Sequence, residues 1–505
     1  MQEDKENISS IEAEESDGYA HDTSLAKLDP SGRLYNEDLA PTAPDGRKWN
    51  TYSLFALWMN DAHNLGDYAF AAALFALGLS AWQVTTSIFV GCLVIFGGCV
   101  MSGFMGRDTG LPFAAVQRIS WGVFGANIPA LIRAIAAILW YGIQTYLASA
   151  AINAIFLRFI PSMESLTNSS FLGLDLLSWL SFIILWALQL AILSRGMEAV
   201  RHFQGWAGPA VWAVMIAVAV WLVIKAGGNI SLTESTKNLS AGQQLYHILA
   251  GVGLMIGLLS TLMLNFSDFA RFAPSRRAVV WGNFWGLPVN WTLFGLTSVV
   301  ISAGSIAVFG RVITNPADIF QRMDSLILVL IGSVTLALAA LGVNIVANFV
   351  SPAYDLANVW PKHINFRRGG IITAVVALAS LPWKLYSTPV VITYFLGGVG
   401  ALMGPLFGVM AVDYFILRRE NVRVPDLFTP NSRSIYYYRS GVNPLAVAAF
   451  IPAAILSLIV AFVPTFSSVA PFTWFVGVGT SALLYYAIGR GRITPARELS
   501  RSVNS

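Results

Sequence analysis

The chain has 505 residues, of which 56% are hydrophobic and only 11% are charged, with a formal net charge of +4. Soluble domains carry about 25% charged residues, so the composition excludes a soluble protein and predicts a membrane protein with many spans. The basic residues fall in predicted loops, so they bear on membrane topology and do not indicate nucleic-acid binding. Cys92 and Cys99 share one apolar span and are expected to be packing residues, which excludes a disulfide framework.

The N-terminal segment is polar and begins with an excess of acidic residues. We predict that residues 1–49 form a disordered cytoplasmic tail, because they hold little apolar surface to bury. No signal-peptide pattern precedes the first apolar segment. Residues 490–505 are predicted to form a second cytoplasmic tail.

Twelve apolar segments are predicted to cross the bilayer as helices of about 20 residues. We place them at 52–77, 82–104, 127–157, 174–194, 206–226, 245–267, 279–308, 325–350, 370–383, 388–416, 443–464 and 472–489. Lys and Arg concentrate in alternate connections, and the positive-inside rule assigns those connections and both termini to the cytoplasm. The sequence therefore predicts an all-α, multi-pass protein of the cell membrane.

The first apolar segment is interrupted at residues 60–67 (NDAHNLGD), which contain two carboxylates, an imidazole and two amides. A charged side chain at the centre of a transmembrane helix costs roughly 2.5–3.5 kcal/mol, and such residues usually face a cavity or a partner. Gly66 allows the backbone to leave helical geometry, which is tolerated at this depth only where it lines protein or water. We therefore predict a broken helix at a binding site or an ion path.

The sixth segment carries three closely spaced glycines, Gly251, Gly253 and Gly257. Each costs up to about 1 kcal/mol in a helix interior, so the cluster indicates either an unwound section or close packing of small residues. The unwound section is favoured because the first and sixth helices would be equivalent members of two five-helix halves. Broken helices in equivalent positions predict a secondary transporter with a midplane site between inverted repeats.

Two pairs of side chains four residues apart add to this prediction. Trp140 and Gln144 share one face of the third helix, where an aromatic plate beside an amide suits a flat, hydrogen-bonding ring. Asn344 and Asn348 have the same spacing in the eighth helix, the third of its half. For this second pair a role in a cavity is favoured over hydrogen bonding between helices.

The connection between the second and third spans and several charged residues are interpreted as structural or have two interpretations. The connection 107–122 is predicted to be an amphipathic interfacial helix or a structured loop. Arg133 is interpreted as snorkelling or pairing with an acid, and Asp268 and Arg271 as structural or gating residues. Asp355 is interpreted as the anchor of a loop just past the eighth span.

The order and spacing of several motifs resemble nucleobase–cation symporter family 1, which includes bacterial hydantoin transporters and allantoin permeases. The likeness spans about residues 35–490 and is closest to the allantoin-permease branch. It is carried by NEDLAP from Asn36 with Arg47 and Trp49, and by LWMNDAHNL, GLPFAAVQRISWGVFGANIPALIRA, WYGIQTYLASAAIN, LNFSDFARFA, VNIVANFVSPAYDLANVWPK, GPLFGVMAVDYFILRR and WFVGV.

This resemblance implies a leucine-transporter-like core of two inverted repeats, at 50–226 and 245–416, with two extra helices at 443–489. It also implies alternating access. Carried over from the family, the substrate positions are Asn64, Trp140, Gln144 and Asn348. The position of a second stacking tryptophan falls on Leu259, so half of the family's aromatic sandwich is missing.

The resemblance also implies a cation site made by the backbone carbonyls of Asn60, His63 and Ala339 with two nearby hydroxyls. The hydroxyl positions fall on Gly342 and Val343, which have no side-chain oxygen. We therefore expect protons rather than sodium ions to be the coupling ion, with Asp61 and His63 as candidate carriers. The alternatives are a salt bridge or helix-end role for Asp61 and a bond from His63 to a neighbouring carbonyl.

The predicted function is import of a small planar ring, such as uracil, allantoin or hydantoin, by a cation-coupled transporter. The alternatives are a nucleoside transporter, or a facilitator without ion coupling, on the same fold. A membrane enzyme is disfavoured because no nucleophile elbow, HExxH motif or acyltransferase spacing is found. We expect no cofactor, metal beyond possible sodium, nucleic acid or obligate protein partner.

Overall fold

The computed structural model describes residues 28–193, 195–232, 239–313, 316–322, 325–385 and 389–493. Helices form nearly all of the regular structure in these ranges. The two strands found there, β1 (Ser170–Phe171) and β2 (Leu174–Asp175), pair as a short antiparallel hairpin with Ser170 opposite Asp175. The described part of the chain therefore has the all-α architecture that the sequence predicts.

The α-helices are numbered here in chain order. They are α1 (Thr51–Ala62), α2 (Leu65–Ala76), α3 (Ala81–Thr109), α4 (Phe113–Trp121), α5 (Asn127–Phe159), α6 (Leu176–Leu193), α7 (Met197–Lys225), α8 (Ala241–Asn265), α9 (Ser267–Ala270), α10 (Arg276–Phe284), α11 (Thr292–Phe309), α12 (Pro316–Gln321), α13 (Leu326–Val343), α14 (Val350–Val359), α15 (Phe366–Ala379), α16 (Pro382–Leu385), α17 (Pro389–Ala411), α18 (Pro444–Phe462) and α19 (Thr473–Gly489). Segments of π-helix follow α10, α13 and α17, at Trp285–Trp291, Asn344–Phe349 and Val412–Leu417.

Each predicted span coincides with a helix or with consecutive helices. In the described ranges, nine helical stretches are long and apolar enough by themselves to cross a membrane. The remaining three predicted spans correspond to the pair α1–α2, to α6 and to the short α15. The helices are thus consistent with twelve spans.

The predicted break in the first span is confirmed. Helix α1 ends at Ala62, His63 leaves helical geometry with φ −89° and ψ 50°, and α2 begins at Leu65 after the extended Asn64. The break is stabilised locally because the Asn64 side chain caps the N-terminus of α2. It brings a helix C-terminus and a helix N-terminus to the same depth.

The predicted break in the sixth span is wrong, since α8 is a continuous α-helix through all three glycines. Packing explains two of them. A Cβ atom on Gly253 would lie 2.3 Å from the Pro471 carbonyl oxygen, and one on Gly251 would lie 3.1 Å from the Ser87 Cβ atom. Close packing of small residues, the alternative interpretation, accounts for these glycines.

A row of glycines on α3 contacts α8 and α9. Cβ atoms at Gly91, Gly98 and Gly106 would lie 2.9 Å, 2.2 Å and 2.5 Å from atoms of Met255, Met263 and Ser267. The absence of side chains on these residues lets the helices approach closely. We call this contact the glycine seam.

Part of the predicted disordered tail is folded. Residues 28–49 pack on the helices, and residues 1–27 lie outside the described ranges. Arg271 donates hydrogen bonds to the carbonyls of Asp38 (2.8 Å) and Ala40 (2.9 Å), and the Trp49 side chain is 2% exposed. The prediction of disorder is therefore wrong for residues 28–49, because local polarity does not reveal hydrogen bonds to distant residues.

The connection 107–122 contains the helix α4, but the helix is not interfacial. All nine of its residues are buried. Arg118, at its centre, donates from Nε to Asn358 Oδ1 (3.0 Å) and from Nη1 to the Leu427 carbonyl (3.2 Å). Its polar side chains therefore bond to other parts of the protein.

Candidate functional site

A small cavity lies beside the break between α1 and α2. Its volume is about 40 Å³, enough for a few water molecules. Its walls come from α1, α2, α5, α8, α13 and the π-helical segment after α13, and they are formed by Asp61, Asn64, Asp67, Trp140, Gln144, Leu258, Leu259, Thr261, Leu262, Val343, Ala347 and Asn348. All five residues predicted to line the substrate site are in this set. A planar ring would require these walls to separate.

Asn64 maintains the shape of the break. Its Oδ1 accepts hydrogen bonds from the backbone N–H groups of Gly66 (2.7 Å) and Asp67 (3.1 Å). Its Nδ2 donates to the Asp61 carbonyl and to the Asp67 carboxylate. Because both ends of this amide are engaged inside the protein, the structure places Asn64 at the cavity as a helix cap.

Two carboxylates face the cavity from the two sides of the break. Asp61 lies in the last turn of α1 and Asp67 in the first turn of α2, and both are buried. Among the described residues, Asp61 Oδ2 has no hydrogen-bond partner, whereas the Asp67 carboxylate accepts from Asn64. None of the lining residues is Lys or Arg. Because an unpaired buried carboxylate is costly, this pair requires a proton, a cation or a hydrogen-bond donor from a substrate.

His63 lies at the break but is not among the residues that line the cavity. Its Nε2 is 3.0 Å from Asn290 Oδ1, and its ring packs against Trp212 and Phe294 with centroid distances of 4.9 Å and 4.8 Å. The Trp212 indole donates to the same Asn290 oxygen (2.8 Å). Because that oxygen accepts, His63 Nε2 is a donor and carries a hydrogen. The partner of His63 Nε2 is thus the carbonyl oxygen of the Asn290 side-chain amide, in agreement with the alternative interpretation.

Two amides bring available hydrogen-bonding atoms to the cavity. Gln144 forms no side-chain hydrogen bond with any other described residue, so both ends of its amide are available. The Asn348 Nδ2 donates to Asn344 Oδ1 (2.9 Å), which leaves the Asn348 Oδ1 available. Asn344 does not line the cavity but donates to Thr145 Oγ1 (3.0 Å) and so connects the π-helical segment to α5. Hydrogen bonding between helices, the less favoured interpretation, therefore applies to Asn344.

The remaining wall combines one indole with aliphatic side chains. Trp140 is half-buried, and its ring makes an edge contact with Phe395 at a centroid distance of 5.4 Å. Helix α8 contributes Leu258, Leu259, Leu262 and Thr261. The wall thus has an aromatic face for a flat ring, while Leu259 supplies only an aliphatic surface.

Comparisons with known proteins identify the family. A family model described as a permease for cytosine/purines, uracil, thiamine and allantoin matches residues 41–489. This chain belongs to that family. The allantoin permease of Bacillus subtilis is 40% identical over 462 residues, which cover 91% of this chain and 94% of the relative. The purine-uracil permease NCS1 of Arabidopsis thaliana is 31% identical over 486 residues, covering 96% and 80%.

Solved structures confirm the predicted fold of this permease. Mhp1, a nucleobase-cation-symport-1 family transporter in a closed conformation with bromovinylhydantoin bound, superposes with a TM-score of 0.75 at 23% identity, covering 90% of this chain and 95% of Mhp1. A Na⁺-coupled sialic acid symporter superposes with a TM-score of 0.56 at 12% identity, covering 93% of each chain. The permease is thus a multi-pass transporter with the leucine-transporter-like fold, and the prediction that it is not an enzyme is confirmed by its permease relatives.

Two of the positions at which the family resemblance implies a cation site, Asn60 and Gly342, are in contact in this permease. Gly342 packs on the Asn60 side chain, since a Cβ atom on Gly342 would be 2.7 Å from Asn60 Oδ1. The Asn60 Nδ2 donates to two backbone carbonyls at 2.8 Å. Val343 lines the cavity, and Ala339, one turn earlier in α13, is buried. The Asn60 amide therefore fills the space beside Gly342, and neither Gly342 nor Val343 adds a side-chain oxygen for a cation.

A buried charged cluster lies next to the cavity. Arg133 Nη2 donates to the carbonyl of the lining residue Ala347 (2.8 Å) and to Asn265 Oδ1 (3.1 Å). Asp268 accepts from the Phe113 backbone N–H (2.7 Å). The carboxylate oxygens of Asp355 have no hydrogen-bond partner in the described ranges. The interpretation of Asp355 as a loop anchor is wrong, because this residue is buried within α14, which continues the eighth span.

Sequence reasoning left two polar residues of the cavity out of the predicted site. Asp67 belongs to the same interruption as Asp61 and Asn64, so its position in an apolar span was an available signal. Thr261 lies three residues after Leu258 and on its helix face, but a hydroxyl in a transmembrane helix has no distinctive pattern. The partners of His63 had no signal in the sequence, because Trp212 and Asn290 come from different helices.

Proposed function

We propose that this permease imports a small planar heterocycle of the uracil, allantoin or hydantoin type by alternating access. The observation that carries the proposal is the convergence of Trp140, Gln144 and Asn348 on one buried cavity beside a broken helix. A free amide matches ring edges on which N–H and C=O groups alternate, and an indole suits a flat ring. The relatives described above, an allantoin permease and a purine-uracil permease, support this substrate class.

Protons are proposed as the coupling ion in preference to sodium ions. Asp61 is the favoured carrier, because its Oδ2 is buried, faces the cavity and has no partner among the described residues. Asp67 adds a second carboxylate at the same place, and one proton on the pair would relieve their repulsion. His63 is the less favoured carrier because its Nε2 is already bonded outside the cavity. Gly342 and Val343 supply no side-chain oxygen for sodium.

The proposed setting is the cell membrane, with both termini in the cytoplasm. This orientation rests on the distribution of Lys and Arg among the connections. The proposed partners are the substrate and the lipid bilayer. Transport on this scheme needs no cofactor, nucleic acid or second protein.

Uptake into proteoliposomes tests the proposal. Labelled uracil, allantoin and hydantoin are offered under an inward proton gradient without sodium, and separately under an inward sodium gradient without a pH difference. We expect accumulation of at least one ring under the proton gradient and its loss in Trp140→Ala. Accumulation that requires sodium would refute proton coupling, and equilibration without accumulation would identify a facilitator.

A nucleoside is the second candidate substrate, favoured by one observation. Leu259 occupies the position of the family's second stacking tryptophan, so the cavity wall carries less bulk there. Competition with unlabelled uridine and uracil separates the two candidates. Stronger inhibition by uridine than by any free ring would reject the proposed substrate class.

A further inference from the structure

A second cavity lies on the outer surface of the helix bundle, between α6 and α15. Its volume is about 360 Å³, much larger than that of the cavity at the broken helix. Helix α6 contributes Trp186, Ala187 and Leu190, and the other helix contributes Ile371 and Arg367. Ala187 and Ile371 are exposed on the described surface. We call this cavity the α6–α15 crevice.

The crevice has a closed apolar end and a charged end. At the closed end, the Trp186 indole donates to the Ala374 carbonyl (2.9 Å) and so joins the two helices. The back wall is Phe349, whose ring lies on Gly370, where a Cβ atom would be 2.2 Å from the ring. Arg367 lies seven residues before Ala374, which is about 10 Å along the helix. The crevice is thus an apolar groove about 10 Å long with a guanidinium at its mouth.

Arg367 is free to bind an anion at this mouth. It is exposed, and it forms no hydrogen bond or ion pair with any other residue in the described ranges. The neighbouring Arg368 differs, because its Nη1 donates to the His363 carbonyl (2.7 Å). Helix α15 begins at Phe366, so Arg367 lies at the end of a span, where lipid headgroups are found.

We propose that the α6–α15 crevice binds an anionic phospholipid, with one acyl chain in the apolar groove and the phosphate paired with Arg367. An acyl chain is apolar and therefore matches the apolar surfaces of Trp186, Leu190, Phe349 and Ile371. A basic residue between transmembrane helices at the membrane boundary is a suitable partner for an anionic headgroup. The charge complementarity selects an anionic lipid over a zwitterionic one.

This lipid would also act on the cavity at the broken helix. Phe349 forms the back wall of the crevice, and the preceding residue, Asn348, lines the other cavity. Both belong to the π-helical segment Asn344–Phe349. A bound chain restrains Phe349 and so restrains Asn348. This second step rests on the proposed function, whereas lipid binding does not.

The test uses the full chain in detergent, with native mass spectrometry in the presence of phosphatidylglycerol or phosphatidylcholine. We expect tighter binding of phosphatidylglycerol, weakened about tenfold in Arg367→Gln, which corresponds to loss of one charge-assisted contact. Arg368→Gln is the matched control and should bind as the parent does. Arg367→Lys should restore most of the binding, and Ala187→Trp should abolish it by filling the groove.

Two results would overturn the inference. Equal phosphatidylglycerol binding by Arg367→Gln and Arg368→Gln would show that Arg367 does not contact the headgroup. Undiminished binding by Ala187→Trp would show that the lipid lies outside the α6–α15 crevice. All three variants replace exposed side chains, and their thermal unfolding is measured alongside. If the variants bind phosphatidylglycerol in the expected order but this lipid does not change substrate affinity, the lipid site stands. Only its link to Asn348 is then rejected.

Discussion

Asn64 shows how a residue at a binding cavity can have a structural role. Its amide bonds to two backbone N–H groups of α2, to the Asp61 carbonyl and to the Asp67 carboxylate. The family resemblance implies contact with substrate, but these bonds leave little for a ligand. We therefore expect substitution of Asn64 to lower the stability of the fold more than the affinity for substrate.

Asn64→Ala is predicted to destabilise the protein by about 1–2 kcal/mol, the usual cost of losing an N-cap side chain. Asn64→Ser keeps a capping oxygen and should lose less. Thermal unfolding in detergent measures the difference, and uptake kinetics provide the comparison. A large rise in KM with unchanged thermal stability would show instead that Asn64 is a substrate ligand.

Gln144 is expected to behave in the opposite way. Its amide has no partner among the described residues, so Gln144→Ala removes hydrogen bonds only to the substrate. Each neutral hydrogen bond contributes about 0.5–1.5 kcal/mol, so substrate affinity should fall roughly tenfold or more while thermal stability is retained. Asn153→Ala is the control on the same helix, because Asn153 bonds to Ser178 and Ser181 away from the cavity. Equal affinities of the two variants would contradict the assignment.

Helix α8 illustrates what composition can predict for an element and what it cannot. Three glycines in one span indicate an interruption or a close contact, and nothing local separates the two. The decisive neighbours, Pro471 and Ser87, lie far away in the sequence. The π-helical segments likewise have no local signature, which is why the displacement of Asn344 from the cavity was not foreseen.

A pair of substitutions tests the packing interpretation of α8. Gly253→Ala would place a methyl group 2.3 Å from the Pro471 carbonyl oxygen and should destabilise the protein by about 1–3 kcal/mol. Gly257→Ala meets no described atom within 4 Å and should stabilise the helix by up to about 1 kcal/mol. Thermal unfolding of both variants gives the comparison. Destabilisation by Gly257→Ala as large as that by Gly253→Ala would indicate that α8 must bend at these glycines.

For the whole molecule, the sequence predicted helices at the apolar segments, the break in the first helix and the five substrate-site residues that meet at the cavity. These predictions succeeded because hydrophobic length, polar interruption and motif spacing are local or family properties. The folded segment 28–49, the buried α4 and the position of Asp355 were not predicted. The segment 28–49 depends on the contacts from Arg271 to Asp38 and Ala40, and α4 depends on hydrogen bonds from Arg118, all of which connect residues far apart in the chain.

Coupling of substrate transport to proton movement is a property of the whole transport cycle. Substitution of Asp61 tests it. In Asp61→Asn the carboxylate can no longer exchange a proton, so an inward proton gradient should no longer drive accumulation. Exchange of labelled for unlabelled substrate, which needs no net proton movement, should persist. Asp45→Asn, at an exposed position, is the control and should retain both activities. Gradient-driven accumulation by Asp61→Asn would exclude Asp61 as the carrier.

The glycine seam has a mechanical consequence. Helix α3 has 29 residues and is therefore about 43 Å long, and its backbone lies directly against α8 at Gly91 and Gly98. Because the Met255 and Met263 side chains of α8 fit closely against these glycines, the two helices cannot slide or separate easily, so a tilt of α3 must carry α8 with it. Since α8 bears Leu258 and Leu259, a cross-link that immobilises the far end of α3 should halt substrate passage from a distance, while every residue of the cavity stays unmodified.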